Sequence, residues 1–226
     1  DPATYAKREV GDALSLNAGE NAENIRVVAG GTLTVGENSQ AKRVEVAGDG
    51  RLIVDAVGRV DFVTVSDGGS AAAYVGAHLA DIAVESGATL TTDVGDSWID
   101  TSVVYLDGQL SVAGQLILNK ELDASGGSLT LRIGQLQIDR DAPLVVNFER
   151  VRRGAVNLSV AADQKTGRYL IADGAGAFTG SMTIDDGVHV RQAIAIGGST
   201  AIKGTTYQLR LEADKLYLTV IGDDRI

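Results

Sequence analysis

Cysteine is missing from all 226 residues, so disulfides, thiolate zinc sites and cysteine nucleophiles are excluded together. Histidine is almost missing too. His78 and His189 stand more than a hundred residues apart and offer neither a catalytic dyad nor a histidine-built metal site. Aromatic residues make up 4% of the chain, with Trp98 the single tryptophan, so few residues can serve as the flat platforms of a carbohydrate site. No apolar run approaches the length of a membrane-spanning helix, and no basic, apolar, then small-residue leader opens the chain. It therefore reads as a soluble segment that, if exported, is already processed. The formal net charge of -10, with Lys and Arg scattered among acids, argues against a phosphate-binding surface and hence against nucleic acid.

What the chain has in quantity is glycine, 28 residues of it, spaced through short stretches rich in Val, Leu, Ile and Ala. Strand formers interrupted by residues that tolerate tight turns predict many short strands. Six successive segments share one pattern: apolar-x-apolar, a glycine turn, then small-or-apolar-x-small-or-apolar. They are "IRVVAGGTLTV", "VEVAGDGRLIV", "VTVSDGGSAAA", "IAVESGATLTT", "VVYLDGQLSV" and "LDASGGSLTL", beginning at Ile25, Val44, Val63, Ile82, Val103 and Leu122. The starts are 19, 19, 19, 21 and 19 residues apart. A near-constant interval predicts that equivalent positions return after one full circuit, as in a β-solenoid whose rungs stack at the ordinary strand spacing of about 4.8 Å. Alternation sends Ile25, Val27, Leu33 and Val35 inward and Arg26, Thr32 and Thr34 outward. The glycines, Gly30, Gly31, Gly48, Gly50, Gly68, Gly69, Gly87, Gly108, Gly126 and Gly127, fall at a corner. A third short strand is expected to close each rung. The left-handed hexapeptide helix competes, but its small apolar residue every six positions is not the spacing seen, which favours the right-handed form.

The regularity fades after Leu131, and Pro143 would interrupt a central ladder. Three hairpin-like units follow: "GRYLIADGAGAFTGSMTIDD", "VRQAIAIGGSTAIKG" and "TYQLRLEADKLYLTV". In the last, Tyr207, Leu209 and Leu211 match Leu216, Leu218 and Val220 across a polar turn. An open solenoid end leaves backbone unpaired, so a terminal cover is expected. The resulting division is an N-terminal leader segment at 1–13, β-helix rungs at 14–148, a β-rich cap at 149–221 and a tail at 222–226.

The copies "VVAGGTLTV" and "VEVAGDGRLIV" resemble the passenger repeats of AIDA-type self-associating autotransporter adhesins over roughly Ile25 to Leu131. "TGRYLIA" and "TYQL...DKLYL" look like the autochaperone junction that follows such β-helices, with Tyr217 where many members carry Trp. The resemblance implies a non-enzymatic passenger on the outer surface of a Gram-negative bacterium, without a cofactor. Its implied partners are like molecules on neighbouring cells, in self-association and biofilm formation, or a host surface or glycan. No membrane insertion is expected of these 226 residues, nor a translocator barrel within them. Outward residues Glu45, Arg51, Thr64 and Thr91, with Trp98 beside the one longer interval, are the candidate adhesive face.

Two other readings stay open. A carbohydrate-active β-helix, lyase or hydrolase, would place carboxylates together, and Asp61, Asp81 and Asp100 recur at intervals of 20 and 19, as an acidic ladder would. The same ladder would suit a hard cation such as Ca²⁺, although neither the calcium-roll nonapeptide nor an EF-hand loop is present. A structural surface-layer or fibre component is the third reading.

Overall fold

The computed structural model describes residues 8–74, 76–85, 87–92, 103–106, 109–136, 142–189 and 191–222. The chain is all-β, with two single-turn 3₁₀ segments, Ile133–Gln135 and Phe148–Arg150, and no α-helix among the described residues. Consequently no helix there is long and apolar enough to cross a membrane, a statement that does not bear on β-barrels.

As far as Thr89–Thr92, strands are dealt alternately to two sheets. Asn21–Val27, Gln40–Val46, Arg59–Val65 and His78–Val84 lie side by side in the first, all parallel. Thr32–Val35, Arg51–Val54, Ser70–Ala73 and Thr89–Thr92 do the same in the second. Ile25 faces Val44, Val44 faces Val63, and Val63 faces Ile82, so the 19-residue interval is the hydrogen-bond register itself. This connectivity is compatible with a β-solenoid.

Each of these four first-sheet strands is bent at its fourth residue, where Asn24, Arg43, Phe62 and Asp81 all take positive φ between 52° and 57°. The bend splits the first sheet into a leading panel (21–23 and its equivalents) and a trailing panel (25–27 and its equivalents). The third strand expected of each rung is therefore present, joined to its neighbour through one left-handed residue. Two further columns of positive φ mark the remaining turns: Gly19, Asn38, Val57 and Gly76, and Gly30, Asp49, Gly68 and Gly87. The second glycine of the turn has another job. A Cβ on Gly69 would sit 2.7 Å from the Val46 carbonyl oxygen of the rung before it, so that position is closed to every side chain by the close approach of stacked turns.

The core is continuous, aliphatic through the parallel strands up to Leu131 and joined beyond them by the buried rings of Phe148, Tyr169 and Tyr207. Val27, Val46, Val65, Val84, Val112, Leu131, Leu158 and Ile184 form one column through the first sheet, each fully buried. Leu33, Leu52, Ala71, Leu90, Leu116 and Val145 form its counterpart in the second. Ile25, Val27, Leu33 and Val35 are buried and Arg26 is exposed, as alternation requires.

The fifth and sixth copies depart from the expected alignment. Ile82 pairs with Leu110, 28 residues on, and not with Val103. Val103–Leu106 and Glu121–Asp123 belong to the leading panel, and Gln109–Val112 and Ser128–Arg132 to the trailing one. The second-sheet place after Thr89–Thr92 goes to Gln115–Leu118. Apolar-x-apolar recurs on every panel, so the pattern aligned strands from different panels once the interval lengthened.

Parallel pairing runs past residue 149, through Leu129 with Val156 and Leu158 with Ile184. Antiparallel pairing begins with Gly167–Ala172 against Lys215–Ile221 and Ser181–Asp185 against Gln192–Ala195. Only the third expected hairpin exists as such, with Tyr207 facing Val220, Leu209 facing Leu218 and Leu211 facing Leu216. The strands of the other two units go to different sheets. Ser181–Asp185 continues the first sheet, while Gly167–Ala172 continues the second.

Candidate functional site

Stacking turns every outward position into a column. On the trailing panel the column reads Glu9, Arg26, Glu45, Thr64, Ala83, Ser111, Thr130, Asn157, Thr183. Arg26 bridges its two neighbours, with guanidinium nitrogens 3.8 Å from Glu9 and 3.5 Å from Glu45. Long side chains give way to short ones from Glu45 to Thr64 to Ala83.

At the bend beside this column stands Phe62, 56% exposed and at φ 56°. Its equivalents one rung away on either side are Arg43 and Asp81. Asn and Asp tolerate left-handed backbone and an aromatic residue does not, so Phe62 is strained as well as solvent-facing. Phe62, Arg43, Val44, Glu45, Thr64 and Ser66 line a shallow groove of about 300 Å³. Arg43 donates to Glu23 at 2.6 Å and to Asn24 at 3.1 Å, so the cation on the groove wall is already neutralised.

The candidate adhesive residues are divided by this geometry. Glu45 and Thr64 are direct neighbours in the trailing-panel column and share the groove. Arg51 lies on the second sheet in a column with Thr32 and Ser70. Thr91 occupies the other outward column of that sheet, with Ala72 and Ile117. Trp98 lies outside the described residues. Phe62 escaped the sequence reading because alternation places it between Asp61 and Val63 as an ordinary strand residue. Its column mates Asn24, Arg43 and Asp81, all polar, were the available signal.

Of the acidic ladder, Asp61 pairs in register with Ala80 and Asp81 occupies the bend, because an interval of 20 slips one residue against a register of 19. Asp61 is 7% exposed and accepts a hydrogen bond from Gln40 at 2.7 Å. Arg59 Nε lies 3.0 Å from its other oxygen, close enough for an ion pair but not aligned as a hydrogen bond. Asp81 is exposed and accepts the Gln109 N–H at 3.3 Å. Asp100 lies outside the described residues. Among the described residues no three carboxylate or imidazole groups converge as a metal ion requires.

His78 opens a leading-panel strand and stacks on Tyr105 with ring centroids 5.0 Å apart. His189 is held through Nδ1 by Asp186 at 2.6 Å. Asp186 also accepts the N–H groups of His189 and Val188, at 2.8 and 3.0 Å. The His189 N–H and then its ring pull the Asp186 carboxyl down to about 2. Elsewhere in the antiparallel region the Tyr169 hydroxyl donates to the Lys165 carbonyl at 2.8 Å. Arg168 lies 3.5 Å above the Tyr217 ring while pairing with Glu212, which ties neighbouring strands together. Burial, with a smaller contribution from Asp186, raises the Tyr207 hydroxyl above its ordinary value.

No protein-family model matches the chain, and no curated protein matches it.

Proposed function

We propose that the chain is a right-handed parallel β-helix with a β-rich C-terminal cap and that it serves as the passenger of a bacterial surface adhesin, joining like molecules on neighbouring cells or binding a host surface. The observation that carries this reading is the 19-residue register. It builds a rigid stack whose interior is uniform and aliphatic while its outward columns differ from panel to panel. A stack of this kind offers extended lateral surfaces for binding. The right-handed form rests on the strong bias of parallel crossover connections toward that hand. The antiparallel hairpins of 167–221 satisfy the last parallel strands of both sheets, as a cap must.

A non-enzymatic role is supported by the state of the carboxylates. Asp61 is engaged by Gln40 and Arg59, and Asp81 stands one residue out of register with it, so the described members of this ladder do not form a pair across a common substrate.

Display of the chain on a bacterial host that does not otherwise clump tests the reading. Cells should settle together within hours, or adhere to a host-cell layer, and soluble chain should compete. Cells that neither clump nor adhere would overturn it. Loss of activity toward a polysaccharide on Asp61→Ala would favour the enzyme reading in its place.

A further inference from the structure

We infer that the groove beside Phe62 is a binding site for a neutral saccharide, one pyranose ring stacking on the phenyl face. This rests on the adhesive reading and narrows it to a ligand class. Three observations meet at the site. The first is that the fold gives no reason for Phe62. Its side chain is 56% exposed, so it adds little to the core, and its backbone takes a conformation that Asn, as at the equivalent Asn24, adopts more readily. An exposed aromatic face is what the C–H face of a sugar packs against.

The second is shape. The groove of about 300 Å³ lies at the lower end for ligand sites, and buried Val44 lies beneath it. The Phe62 ring forms one wall, while the neighbouring outward residues shorten from Glu45 to Thr64 to Ala83.

The third is charge. Arg43 is bonded to Glu23 and Asn24, and Glu45 faces Arg26 at 3.5 Å. A charged ligand would have to compete with these pairs. Sugar hydroxyls can share them, donating to the Glu45 carboxylate and exchanging hydrogen bonds with the Thr64 and Ser66 hydroxyls. A chain of net charge -10 also disfavours an anionic ligand.

The test is saturation-transfer NMR on the isolated 226-residue chain, with methyl gluco-, galacto- and mannopyranosides as neutral probes and glucuronate and sialic acid as charged ones. At least one neutral glycoside should bind at about 10 mM or below, with its ring protons saturated most strongly. Phe62→Asn should weaken that binding roughly fivefold, the worth of one aromatic contact, and should melt no lower than the parent chain. Phe62→Trp should retain binding. The inference is overturned if no neutral glycoside binds, if Phe62→Asn binds as the parent does, or if the charged sugars bind more tightly. Sugar binding by a chain that does not make cells adhere sinks the adhesive reading alone. Adhesion that persists with no sugar bound sinks the saccharide site alone.

Discussion

Val57 offers a direct measurement of what the corner geometry costs. It lies at φ 61° in a column whose other described members are Gly19, Asn38 and Gly76, and its side chain is 47% exposed. A left-handed backbone costs an ordinary L-residue about 1–2 kcal/mol, and a β-branched residue is among the worst placed to bear it. Asn relieves most of that strain. Against the gain stands the loss of a half-buried isopropyl group, whose complete burial would be worth about 1.5–3 kcal/mol and of which a turn position keeps only part. The net expectation for Val57→Asn is stabilisation by about 0.5–1 kcal/mol. For a chain of this length that is a rise in Tm of roughly 1–4 °C. The reciprocal change one rung earlier, Asn38→Val, places the same strain on an exposed residue at φ 54° and should lower Tm by a similar amount. Thermal melts followed by circular dichroism, at matched pH and salt, measure both. A drop in Tm for Val57→Asn, or shifts of the same sign for the two variants, would refute the argument that backbone strain dominates at this corner.

Gly69→Ala should destabilise by about 1–3 kcal/mol in urea unfolding, because its Cβ would meet the Val46 carbonyl oxygen at 2.7 Å. Gly19→Ala, whose Cβ meets nothing within 4 Å, should lose only the smaller cost of its positive φ, and equal losses would contradict the close-approach account. Leu52→Ala, at 1% exposure in the middle of the second-sheet core column, should cost about 2–5 kcal/mol by the same measurement. The Asp186 carboxyl titrates at about 2 in the folded chain, below its unfolded value near 3.9, so its hydrogen bonds to His189 and Val188 add stability above about pH 4. That contribution should disappear between about pH 4 and 2, and Asp186→Asn should flatten this part of the stability profile. An Asp186 carboxyl resonance titrating near 4 in the folded chain would speak against it.

Legibility followed the register. Where the interval stayed at 19, a single strand pattern sufficed to align the rungs, because parallel pairing at constant offset brings like residues above like. Once the spacing between trailing-panel strands lengthened to 28, Val103 and Leu122 were placed on the wrong panel. All three panels alternate in the same way, and only the hydrogen-bonded partner tells them apart. The antiparallel region was legible only at 205–221, where the two strands are neighbours in sequence as well as in space. The first two hairpin-like units failed since each of their strands found its partner elsewhere in the sheets.

The sequence by itself determined the class of the core: aliphatic residues at alternate positions, repeating every 19, leave a stack of parallel strands as the way to bury Ile25, Val27, Leu33 and Val35 together. Which outward side chains meet was decided by tertiary structure alone. Glu45 and Thr64, 19 residues apart, become neighbours, while Arg51, six residues from Glu45, goes to another sheet. Asp61 and Phe62, adjacent in the chain, separate into an engaged carboxylate and an exposed ring. The bend at the fourth strand residue is what alternation misses: with one left-handed φ at residue 62 the strand changes panel, so Val60 is buried although alternation counted back from Val63 sends it outward.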